Sequence, residues 1–140
     1  SSDVCSSDLA SWSPIVVPAR DGNGFWVAGR GRLGRIDRSG SLQLRSYSQL
    51  TEITGIAEDA ASTGADRAVL WLCDFSGRLW LSRSGALTPV PIRKDLAVND
   101  AVSLLDDHMG RLWMGTSNGV LVFDKLALLR AVAQAAQACV

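Results

Sequence analysis

Three hairpins built around Trp26, Trp71 and Trp113 predict an all-β chain, a partial β-propeller of about three four-stranded antiparallel blades with a short C-terminal helix. The tryptophans stand 45 and 42 residues apart, about the length of one four-stranded blade. Each lies in a short apolar run bounded by Gly, Asn, Asp or Ser, the residues that form tight turns. The turns are too short to hold a crossover helix, so consecutive strands must run antiparallel.

The first blade is expected over 15–48. Ile15 to Asp21 is an apolar run interrupted by Pro18, which cannot donate to a ladder and suits an edge. Asp21-Gly22-Asn23-Gly24 is a turn, because Gly and Asn accept positive φ. Phe25 to Ala28 is the next strand, and Gly29-Arg30-Gly31 turns into Arg32 to Asp37. Arg38-Ser39-Gly40 then turns into Ser41 to Ser48, where Leu42 and Leu44 alternate with polar neighbours.

The second blade is expected over 52–92. Ile53, Gly55 and Ala57 lead to Glu58-Asp59, and the small, polar Ala60 to Ala68 reads as a lengthened loop. Val69 to Cys73 holds Trp71, Asp74-Phe75-Ser76-Gly77 turns, and Arg78 to Arg83 carries Trp80. Ser84-Gly85 turns into Leu87 to Ile92. A competing register aligns Asp74 to Trp80 with Asp107 to Trp113, which match almost residue for residue. It would space the tryptophans 54 and 33 residues apart, and blades so uneven are harder to stack.

The third blade is expected over 98–124, from Ala101 to Asp107, Arg111 to Thr116 and Val120 to Asp124, with its fourth strand missing. Lys125 to Val140 is rich in Ala and Leu. Arg130, Gln134 and Gln137 fall on one helical face, so this stretch reads as an amphipathic helix or a truncated linker. Residues 1–9, which use Ser-Ser-Asp twice, resemble the translation of a sequencing adapter. They are excluded from the fold, which leaves 10–124 as the repeat region.

A small antiparallel sheet cannot bury both faces by itself, so such repeats gain stability by stacking around an axis. A tryptophan supplies on the order of 150–250 Å² to that contact. Asp21, Asp59 and Asp107 are placed to accept backbone N–H groups in the turns that follow, and Gly110 and Gly119 supply turn conformations other residues resist.

Asp107-x-x-Gly110-x-Leu112-Trp113-x-Gly115-Thr116-x-x-Gly119, followed by Leu121 and Phe123-Asp124, resembles the two-component regulator propeller repeat. The second unit is similar at Ala57-Glu58-Asp59, Leu70-Trp71-Leu72 and Gly77-x-Leu79. The first departs from it, with Ala28-Gly29 in place of Gly-Thr and a shorter step from Asp21 to Trp26. The resemblance implies a fragment of the periplasmic sensor region of a bacterial hybrid histidine kinase or related receptor, continued by further blades. It also implies an oligosaccharide or other small extracytoplasmic ligand, an output kinase or cyclase elsewhere in the full chain, and a homodimer of the full-length receptor.

Fourteen basic and fourteen acidic side chains cancel, so no global field favours a polyanion. The first blade is locally basic at Arg30, Arg32, Arg35, Arg38 and Arg45. No aromatic residues interleave with these, so a solvated face or an anionic sugar is expected and not nucleic acid. Cys5, Cys73 and Cys139 have no metal-ligand spacing, so no metal site is expected. Gly29-Arg30-Gly31-Arg32-Leu33-Gly34 matches a dinucleotide pattern, but the following residues alternate and offer no helix N-terminus, so no cofactor is expected. No apolar run is long enough for a membrane helix.

His108 is the single histidine, lies in a turn and has no nucleophile motif beside it, so it is expected as a surface residue. The adjacent acids Glu58-Asp59 and Asp106-Asp107 are expected as turn caps, because neighbours on a strand point to opposite faces. No catalytic residue is expected. Blade topology puts the second-to-third turns and the blade-to-blade connections on one rim, which nominates Arg30, Arg32, Asp74, Phe75, Arg93, Lys94 and Asn118 for ligand binding. The function expected is a non-catalytic sensor module; the alternatives are a fragment of an enzymatic propeller, lyase or hydrolase, and a structural interaction propeller.

Overall fold

A computed structural model describes residues 14–64, 67–92 and 100–138; residues 1–9 and the candidates Arg93 and Lys94 lie outside them. The first sheet is β1 (Ile15–Pro18), β2 (Phe25–Gly29), β3 (Arg32–Ile36) and β4 (Leu42–Ser46). The second is β5 (Ile53–Glu58), β6 (Val69–Asp74), β7 (Leu79–Arg83) and β8 (Ala86–Val90). The third is β9 (Ser103–Asp106), β10 (Arg111–Thr116) and β11 (Gly119–Asp124), followed directly by helix α1 (Lys125–Ala138). Every strand pairs antiparallel with its chain neighbour, and the strand order in each sheet is the chain order. Among the described residues the chain is therefore all-β apart from one helix, with two four-stranded sheets and one three-stranded sheet, as open blades of a partial propeller.

The three expected tryptophans occupy one place in three sheets. Each is on the second strand, and the first-strand residues opposite are Val17 for Trp26, Ala57 for Trp71 and Leu105 for Trp113. Trp80 lies on a third strand, opposite Leu72 and Pro89, and so belongs to a different position of the blade.

Strand alternation divides β6 between two cores. Leu70 and Leu72 join Trp26, Ala28, Leu33, Ile56 and Trp80 between the first and second sheets. Trp71 and Cys73 face the other way, joining Leu81, Leu104, Leu112, Met114 and Phe123 between the second and third sheets. A strand covered on both faces is apolar at every position, which is why Val69 to Cys73 shows no polar alternation. Gly55 lets the second and third sheets approach. A Cβ there would lie 2.6 Å from Cys73 Sγ and 3.0 Å from Leu104 Cβ. The buried Cys73 thiol is pushed up to about 11, chiefly by desolvation, so it serves as an apolar core residue.

Helix α1 turns Leu128 and Val132 into the second core, packing on β8 and β11, and leaves Arg130, Gln134 and Gln137 exposed. On the far face of the third sheet, Leu105 (61 % exposed) and Val122 (48 %) flank a half-buried Trp113. On the opposite face of the first sheet, Val16 and Phe25 are likewise exposed. The stack thus exposes apolar side chains at both ends, although Val27, at the centre of the first-sheet face beside Val16, is fully buried.

Trp71→Ala is expected to cost about 3–5 kcal/mol in urea unfolding, the usual cost of emptying a buried aromatic site. Trp113→Ala, at an uncovered face, is expected to cost clearly less; equal losses would contradict the stacking described. The uncovered ends also predict that the isolated 140-residue chain is poorly soluble and self-associates in sedimentation. A monomeric, cooperatively melting product would count against that reading.

Candidate functional site

The turns after the second strands share an edge with the sheet-to-sheet connections. Gly31 N–H donates to Thr51 O at 3.2 Å, and Tyr47 N–H to Gly31 O at 2.8 Å. Phe75 N–H donates to Glu52 O at 3.3 Å, and Ala101 N–H to Phe75 O at 3.2 Å. Backbone bonds therefore fix this rim, while Arg30, Phe75 and Asn118 stay exposed on its turns and Arg32 is half-buried on β3. Asn118 N–H is tied back to Thr116 Oγ1.

Asp74 stands apart from the other rim candidates. It is fully buried, and its carboxylate accepts Ser76 Oγ–H at 2.6 Å, Arg78 N–H at 3.0 Å and Thr51 Oγ1–H at 3.2 Å. The same turn occurs at Asp37-x-x-Gly40 and Asp107-x-x-Gly110. In all three the carboxylate accepts the N–H four residues on, from Ser41, Arg78 and Arg111. In all three the glycine has φ between +86° and +92°. The likeness of Asp74–Trp80 to Asp107–Trp113 is therefore a shared turn used at two different places in a blade: before the third strand of the second sheet and before the second strand of the third.

A set of acids at the ends of the first strands joins neighbouring sheets. Ala19, Asp59 and Asp107 are equivalent, since each N–H closes the turn after a first strand. Asp59 accepts the Trp71 indole N–H at 2.7 Å, and Asp107 accepts that of Trp113 at 2.9 Å. The first sheet has Ala19 at that place, so Trp26 donates across to Glu58 Oε1 of the second sheet at 2.8 Å. Asp21 is exposed and holds Asn23 N–H and Arg35 instead. Bonds to Asn23 and Arg35 lower its carboxyl from the ordinary value.

One residue before those turns, Glu58 and Asp106 reach back to the preceding sheet. Glu58 accepts Arg20 N–H at 2.8 Å, and Asp106 accepts Ala60 N–H at 3.2 Å. Arg20 and Ala60 are equivalent positions, so the same cross-sheet bond is made twice. Lys125, first residue of α1, completes the set by donating to Asp106 at 2.8 Å and Asp59 at 3.2 Å. Three of the four adjacent acids cap turns: Asp59 accepts Ala61 N–H, Asp106 accepts His108 N–H and Asp107 accepts Met109 N–H. Glu58, expected as a turn cap, instead accepts Arg20 N–H and the Trp26 indole N–H of the neighbouring sheet. What the sequence does not display is the partnership of Asp59 with Asp106 through a lysine 66 residues beyond Asp59. The available signal was a lone lysine opening an Ala- and Leu-rich helix.

Burial opposes ionisation of Asp59, but bonds from Ala61, Trp71 and Lys125 outweigh it and hold the carboxyl below its ordinary value. Burial likewise opposes the Lys125 charge, and its bonds to Asp106 and Asp59 outweigh that and raise it above the ordinary 10.5. These carboxylates are engaged by N–H donors and an ammonium, which suits a structural clamp and leaves no free proton acceptor at Asp59. His108 sits in an exposed turn with φ +61°, and Arg20 Nη1 lies 2.6 Å from its Nδ1. Among the described residues no group of three His, Cys, Asp or Glu side chains is placed to hold a metal ion.

Lys125→Met strands two buried carboxylates and is expected to cost about 3–5 kcal/mol in urea unfolding, with partial recovery in Lys125→Met/Asp59→Asn. The clamp also fixes the pH window. Asp59, lowered on folding, contributes above about pH 4 and loses that contribution as pH falls through its folded value. Lys125, raised on folding, contributes up to its ordinary value and loses it as pH rises through the raised one. Urea midpoints that fall below about pH 4 in the parent chain, and less steeply in the double variant, are the expected result. The chain matches no protein-family model and no curated protein sequence.

Proposed function

We propose that this chain is part of a ligand-sensing β-propeller in a bacterial signal-transduction receptor, binding without chemistry of its own. One observation carries the reading: sheets locked together by their buried clamp hold a rim of short turns, on which Arg30, Phe75 and Asn118 are exposed. A fixed scaffold with exposed polar and aromatic turns suits recognition, since little order is lost on binding. Aromatic and guanidinium side chains exposed on turns of one rim suit the faces and hydroxyls of an oligosaccharide. The resemblance of Asp107 to Asp124 to the two-component regulator propeller repeat supports the same reading, with further blades, a periplasmic position and a kinase or cyclase output in the full-length receptor.

Two experiments test this. The complete reading frame is expected to contain a transmembrane helix followed by a kinase or cyclase domain; a chain ending after its last blade, with a His and acidic cluster at the rim, would contradict it. In binding assays against a panel of neutral and anionic oligosaccharides, Arg30→Gln and Phe75→Ala are each expected to weaken the best binder about tenfold without lowering the melting temperature. Unchanged affinity in both variants would remove the rim from the account.

A further inference from the structure

Between the outer strands of the first and second sheets the stack leaves a cleft of about 360 Å³, lined by Arg35, Gln43, Arg45, Tyr47, Ser82 and Ser84 among others. Its origin is a mismatch of side chains. Long polar residues on β3 and β4 face Ser82 and Ser84, where the corresponding outer strands of the next pair, β8 and β11, are packed by Leu128 and Val132 of α1. The volume is at the small end of ligand sites.

The polar groups of this cleft are unbalanced toward donors. Arg35 is held rigidly: its Nη2 donates to Asp21 Oδ1 and Oδ2 at 2.8 Å and to Asn23 O at 2.9 Å, and its Cζ stands 4.9 Å over the Trp26 ring. Its Nη1 is buried and has no hydrogen-bond partner among the described residues. A buried donor left without an acceptor is rare and calls for an explanation. Arg45 is exposed, makes no hydrogen bond or ion pair among the described residues, and lies over Gly85, where a Cβ would collide with its guanidinium. Tyr47 is pinned by donating to Gly85 O at 2.9 Å. Two guanidiniums against the single carboxylate of Asp21 leave one positive charge at the cleft.

We propose that this cleft is a second binding site, separate from the rim, for a small ligand bearing one carboxylate. A carboxylate supplies the planar pair of acceptors that guanidinium forks match, and its single charge balances the excess. A phosphate group, with a charge nearer −2, would overfill it. Gln43, Ser82 and Ser84 are placed to take hydroxyls on the rest of the ligand. Arg35 contributes a preorganised wall and Arg45 the charge that closes over the bound anion.

Ligand-detected NMR on the 140-residue chain tests the site with D-glucuronate as a sugar acid, lactate as a carboxylate without a sugar, glucose as the neutral sugar and inorganic phosphate as the other anion. Binding of glucuronate, lactate or both is expected, with glucose and phosphate at least about tenfold weaker. Arg45→Gln, at an exposed position that leaves the core intact, is expected to lose at least about tenfold in affinity, and Arg35→Lys to weaken binding while keeping the charge. Arg30→Gln on the rim is expected to change nothing, which separates this site from the one in the proposed function. No carboxylate binding at millimolar concentration, equal binding of glucose or phosphate, unchanged affinity in Arg45→Gln, or loss in Arg30→Gln alone would each overturn the proposal.

Discussion

A tryptophan buried between two sheets brings a polar N–H into an apolar contact, and the rest of this structure follows from where that N–H is satisfied. Trp71 and Trp26 are both more than nine-tenths buried, and each donates to an acid at the end of a first strand. The indole face supplies the area that holds neighbouring sheets together, and the acceptor sets the ring's depth and angle. Because the acceptor must itself lie at the buried end of a strand, it too needs partners. Those partners are the Arg20 N–H of the preceding sheet for Glu58, and the Ala61 N–H and the Lys125 ammonium for Asp59. At Trp26 and Trp71 the apolar stack and the polar clamp are thus two sides of one requirement; the buried Trp80 indole N–H, on a third strand, has no hydrogen-bond partner among the described residues.

The blade repeat was legible because it is written in large residues at even spacing. Trp26, Trp71 and Trp113 mark second strands, and the Gly- and Asp-rich turns between them leave few alternatives. The helix was legible from the 3.6-residue period of Arg130, Gln134 and Gln137. Other features were hidden for a physical reason: they depend on pairs distant in the chain. Asp59, Asp106 and Lys125 come from two sheets and the helix. Arg35 reads as one more residue of a basic, solvated stretch, yet Asp21 and the Trp26 ring draw it into the cleft. The turn motif was a source of ambiguity of the opposite kind. Asp-x-x-Gly encodes a local shape, so it recurs wherever that shape is needed and does not mark a blade position.

The candidate site was partly legible in the same sense. That turns gather on one rim follows from meander topology, and Arg30, Phe75 and Asn118 are exposed there. That Asp74 is withdrawn follows from its turn, whose pattern was present in the sequence at Asp37, Asp74 and Asp107 but whose energetic consequence was not. An aspartate that caps a turn has its oxygens occupied before any ligand arrives. The buried acids Glu58, Asp59, Asp74 and Asp106 are consumed by structure, while Arg30 and Arg45 stay exposed.

Hydrogen exchange of the indole N–H groups, followed by NMR on the chain labelled at tryptophan, tests the central claim most directly. If the rings bind sheet to sheet, the Trp26 and Trp71 indole N–H groups exchange only as the stack opens, and that of Trp113, at an uncovered face, exchanges far faster. Exchange at Trp71 as fast as at Trp113 would contradict the account.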